Sequence, residues 1–74
     1  MVDKGYFDSD AQALSAWNNA VSLLNEGKGP TALAILIRLA NSGYEAAAFS
    51  VGNLLDTGYA NIMVDFVEAR RWYE

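Results

Sequence analysis

Neither histidine nor cysteine occurs among the 74 residues, so the usual general base, thiolate nucleophile and soft metal ligands are all missing. Catalysis would have to rest on carboxylates. Asp8 and Asp10 flank Ser9 and could meet a hard cation, but their spacing does not continue into a calcium-loop pattern. They suit a helix N-terminus better, where the positive end of the helix dipole favours acidic side chains. Lys28-Gly29-Pro30-Thr31 faintly resembles a phosphate-binding loop. The earlier glycine of that motif is absent, Gly27 being too close, and Pro30 removes an amide donor, so the segment is a turn. No catalytic residue, metal ligand or cofactor is assigned, and an enzyme would need an unforeseen pair of carboxylates in a pocket.

Recognition is the other chemistry open to these residues, since aromatic side chains supply interface hot spots. Trp17, Trp72 and Tyr73 stand at helical spacing with other apolar residues, which makes core packing their first reading. The Trp72-Tyr73 pair becomes a contact surface if nothing further covers it. Tyr59, Ile62 and Met63 belong to a loop and are candidates for exposed contact, the alternative being that Ile62 and Met63 fold back as a lid. Arg70 and Arg71 read as a solvated face, paired with Glu68 or Glu74.

Composition narrows the partners. Hydrophobic residues form 53% of the chain and charged residues 19%, too apolar for disorder and suggestive of a surface that stacks on further protein. A core this small rarely supplies more than roughly 3–5 kcal/mol without a disulfide, a metal or a partner. Five basic against nine acidic side chains give net charge −4, the wrong sign for neutralising phosphates, so nucleic acid is not expected. The longest apolar run, Ala32 to Ile37, falls far short of the roughly 20 residues that span a bilayer, and residues 1–5 do not begin a signal peptide.

Four helices must position whatever these residues do. Ser9 and Gln12 are spaced as a capping box, and Leu14, Trp17, Val21 and Leu24 follow at helical spacing, predicting a helix over 9–26. Gly27 stops it, and Pro30, with no N–H to lose, opens a second over 30–42 that is apolar nearly all round and should be packed on at least two sides. Gly43 precedes a third helix over 44–56, whose Ala46, Ala47 and Ala48 permit close approach; Gly58 ends it. After a loop over 59–64, Asp65 with Glu68 repeats the capping signal, and Phe66, Ala69, Trp72 and Tyr73 carry the fourth helix.

The chain matches itself. Ala16, Ala20, Leu24 and Gly27 fall on Ala47, Val51, Leu55 and Gly58 at a shift of 31 places, and Ala32, Ile35 and Leu36 fall on Ala69, Trp72 and Tyr73 at a shift of 37. The difference of six is the longer loop, and the unit is a helical hairpin. Gly43-Tyr44-Glu45-Ala46-Ala47, Phe49, Val51-Gly52, Leu55, Gly58, and Asp65 with Ala69 and Trp72-Tyr73 resemble the Sel-one-like repeat, a tetratricopeptide-like family. Residues 13–43 resemble the same unit more weakly, and the apolar loop after Gly58 departs from the family's tight turn. The segments Met1-Val2 with Gly5, Leu36 with Leu39-Ala40 and Gly43-Tyr44-Glu45, and Leu54-Leu55-Asp56 are similar to the luminal adaptors of ubiquitin ligases in endoplasmic-reticulum-associated degradation. That resemblance implies a scaffold for misfolded clients in the endoplasmic reticulum lumen.

The expected architecture is an all-α solenoid segment: residues 1–8 an extension or tail of a preceding repeat, 9–43 one antiparallel hairpin, and 44–74 a second whose last helix is cut short. The family role implied is a non-catalytic scaffold or adaptor for other proteins; the alternative is a module that self-associates, as a homodimer, through its open repeat ends. Stacked hairpins leave a groove between the first and third helices. Helical phase places Asn18, Asn19, Ser22, Ser50, Asn53 and Asp56 as its polar lining.

Overall fold

Two helices end on the same backbone motif, and that motif sets the hairpin geometry. At the first, the Lys28 N–H donates to the Leu23 carbonyl at 2.8 Å and the Gly27 N–H to that of Leu24 at 3.1 Å. At the second, Tyr44 donates to Leu39 at 3.2 Å and Gly43 to Ala40 at 3.0 Å. Both are Schellman turns, and both need a residue at positive φ, which Gly27 (79°) and Gly43 (101°) supply without the steric penalty of a Cβ.

The computed structural model describes residues 10–73. The expected Ser9 cap, the Asp8–Asp10 pair and the 1–8 extension lie outside the described residues or side chains. Helices α1 (Asp10–Asn25), α2 (Gly29–Asn41), α3 (Glu45–Thr57) and α4 (Phe66–Tyr73) follow in order, with one 3-10 turn at Tyr59–Asn61 between the last two. No strand occurs among the described residues, and the expected all-α class holds. Every predicted helix limit from Gly27 onward falls within one residue of that observed. Pro30 stands in the first turn of α2 as its missing N–H requires. At α4 the Glu68 N–H donates to the Asp65 carboxylate at 3.0 Å, the N-cap bond expected from their spacing.

Three-residue connections turn α2 back on α1 and α3 back on α2, and an eight-residue connection turns α4 back on α3. The molecule spans 37 × 28 × 13 Å along its principal axes. Burial comes mainly from the helices adjacent in sequence. On α2, Ala32, Leu36 and Leu39 are buried, with Leu33, Ile35, Ile37 and Ala40 partly covered around them. That is the two-sided packing its apolar sequence demands.

On α1 the buried side differs from the one expected. Ala13, Ala16 and Ala20 face the core, whereas Leu14 is 60% exposed and Val21 is also exposed. Residues three and seven places apart share a helix side, and alanine there lets the two backbones approach closely, which displaces the bulkier neighbours round the helix. Removing the α4 cap with Asp65→Ala should cost about 1 kcal/mol in urea denaturation followed by circular dichroism, and an unchanged midpoint would contradict the cap.

Candidate protein-binding groove

The displacement of large residues on α1 shapes the main concavity. Trp17, Val21 and Leu24 of α1 form one wall of a cavity of about 550 Å³; Leu36 of α2 lies at its floor; and Ser50, Asn53, Leu54 and Thr57 of α3 form the other wall, with Tyr59 closing one end. A second cavity of about 310 Å³ continues along the same helices, lined by Ala13, Leu14 and Trp17, by Leu39, and by Tyr44, Ala46 and Ala47. Trp17 borders both, so the two form one groove between α1 and α3 floored by the buried leucines of α2. Among the described residues, no charged side chain lines either.

The groove lies between the helices expected to form it, but only two of the six polar residues expected to line it do so. Ser50 and Asn53 line it from α3. Asn18, Asn19 and Ser22 are exposed but line neither cavity, and Asp56 is likewise on the outer side of α3. One residue corresponds to about 100° of helix rotation, so once the alanines take the core, Val21 rather than Ser22 turns to the groove. The signal was present in the Ala13–Ala16–Ala20 spacing.

The loop candidates separate. Met63 is 85% exposed and Tyr59 is also exposed. Ile62, expected among the exposed contacts, is instead only 5% exposed and sits against Gly29, where an added Cβ would lie 2.6 Å from its Cγ1 and also strike the Ala60 carbonyl. The lid alternative therefore applies to Ile62 and not to Met63. Ala60 (φ 58°) and Asn61 (φ 70°) bend the chain back, and Asn61 Nδ2 donates to the Gly27 carbonyl at 2.9 Å, tying the loop to the α1–α2 turn. Trp72 is half-buried in the core, while Tyr73 is exposed beside Phe49 with ring centroids 5.5 Å apart. Arg71 pairs with Glu68 at 3.6 Å on the exposed side of α4.

No family model matches the chain, and no solved structure matches it. Over 63 residues, 85% of its length, it is 35% identical to the Localization factor PodJL of Caulobacter vibrioides strain NA1000/CB15N, with the same match in strain ATCC 19089. The matched stretch is 6% of that protein's length. The relative is bacterial, and bacteria have no endoplasmic reticulum. This overturns the luminal location implied by the resemblance to degradation adaptors.

Because Ile62 and the Ala60 carbonyl fill the space over Gly29, Gly29→Ala should destabilise the chain by about 1–3 kcal/mol through overpacking. Amide exchange over 59–62 should accelerate with it. Unchanged exchange in that segment would show that the loop does not rest on α2.

Proposed function

We propose that this chain is a non-catalytic protein-interaction module of the Sel-one-like, tetratricopeptide-like kind, and that the α1–α3 groove holds an apolar segment of another protein. The groove itself carries the reading. Its walls of Trp17, Val21, Leu24 and Leu54 and its floor of Leu36 and Leu39 would bury apolar side chains of a partner, and Ser50, Asn53 and Thr57 would orient it by hydrogen bonds. An amphipathic helix or a short peptide presents that combination.

Several observations support the assignment. The tandem hairpins and the Asp65, Ala69 and Trp72-Tyr73 spacing favour the repeat family. Net charge −4 disfavours nucleic acid as the occupant. The name of the bacterial relative, a localization factor, fits a surface that engages other proteins.

A peptide selected against the chain from a library of apolar and amphipathic helices tests this. Val21→Arg and Asn53→Arg should each weaken its binding by about tenfold, or ~1.4 kcal/mol, as measured by calorimetry. Asn18→Arg and Asn19→Arg should leave it within about twofold. Equal losses at all four positions, or none, would place the binding surface elsewhere.

A further inference from the structure

Three residues suffice to turn α1 into α2, whereas eight, Gly58 to Asp65, join α3 to α4. The longer connection is held in a strained shape. Ala60 and Asn61 both stand at positive φ without being glycine, and Asn61 Nδ2 ties the segment to the Gly27 carbonyl. Ile62 is tucked against Gly29, while Met63 next to it is 85% exposed. Left-handed backbone at non-glycine residues persists only where the surrounding structure enforces it, and it gathers at functional sites.

What the segment builds is a cavity. Leu33 of α2, Leu55 of α3 and the connecting residues Asn61, Ile62, Met63 and Asp65 line a space of about 420 Å³, within the range that ligand sites in proteins occupy. It shares no lining residue with the α1–α3 groove. The lining is largely apolar, and its one charged residue is the exposed Asp65. That carboxylate uses a single oxygen, Oδ1, to accept the Glu68 N–H at 3.0 Å. Among the described residues no cation pairs with it, Lys28 being held by Glu26 at 3.4 Å and Arg71 by Glu68 at 3.6 Å.

We propose that this cavity is a second docking site, which takes a lysine or arginine side chain of a partner protein. The aliphatic stem lies against Leu33, Leu55 and Met63, and the charged head meets the Asp65 oxygen that the helix cap does not use. Charge selects the occupant. Apolar walls beside one exposed carboxylate match a side chain that is itself apolar along its length and cationic at its tip. An acidic side chain would be repelled by Asp65 and by a net charge of −4, and a wholly apolar one would desolvate the carboxylate with nothing in return. The site is separate from the groove and stands whether or not the groove binds.

A random display library of short peptides, selected against the chain carrying Val21→Arg to disfavour the groove, tests the proposal. Recovered peptides should share a lysine or arginine, and replacing that residue by glutamine in a synthetic peptide should weaken binding by about fivefold in calorimetry. Asp65→Asn should weaken it equally with the helical circular dichroism unchanged, because asparagine also caps α4. The two changes together should cost no more than either alone. Asp56→Asn, on the outer side of α3, removes the same charge elsewhere and should leave binding within about twofold. Peptides selected on the parent chain for the groove should be indifferent to Asp65→Asn, which keeps the two sites distinguishable. Recovery of no peptide, recovered peptides without a basic residue in common, full binding by Asp65→Asn, losses that add, or an equal loss with Asp56→Asn would each overturn the proposal.

Discussion

Covering α2 from two sides is the constraint on which the rest of the structure depends. Its run from Ala32 to Ala40 is apolar around nearly the whole helix and needs cover on more than one side. α1 and α3 pack on it, the loop over Gly29 adds to the cover, and Leu36 and Leu39 are buried. Large-to-small substitution of such fully buried leucines costs roughly 2–5 kcal/mol in proteins generally, a large share of what a chain this size holds.

The way α1 meets that demand determines the surface. An alanine stripe brings its backbone close to α2 and leaves Trp17, Val21 and Leu24 at the edge of the contact. With α3 covering the other flank, those side chains and Leu54 become facing walls, and the leucines of α2 become the floor. The groove is thus a consequence of core packing. Groove residues placed on three successive helices hold their spacing because α2 fixes both neighbours.

Most of the backbone was legible because its punctuation is chemical. Gly27 and Gly43 stop helices by positive φ, Pro30 starts one by lacking an N–H, and Asp65 caps one with its carboxylate. The side chains were less legible. Hydrophobicity scales weight Leu14 and Val21 above Ala13 and Ala20, so the expected buried stripe on α1 was rotated from the observed one, and the groove lining of Asn18, Asn19 and Ser22 rotated with it. Close backbone approach is a gain that apolar periodicity does not register. Ile62 was obscured differently: its burial depends on Gly29, 33 places earlier in the chain, leaving room for it, a contact no local pattern contains.

Comparing the unfolding free energies of Ala20→Leu and Val21→Lys in urea tests the alanine-first packing most directly. If α1 meets α2 through its alanines, Ala20→Leu should lose about 1–3 kcal/mol by overpacking, and Val21→Lys should stay within about 0.5 kcal/mol of the parent chain. The opposite ranking, with the lysine destabilising and the leucine tolerated, would mean that the larger residues form the core and that no groove stands between α1 and α3.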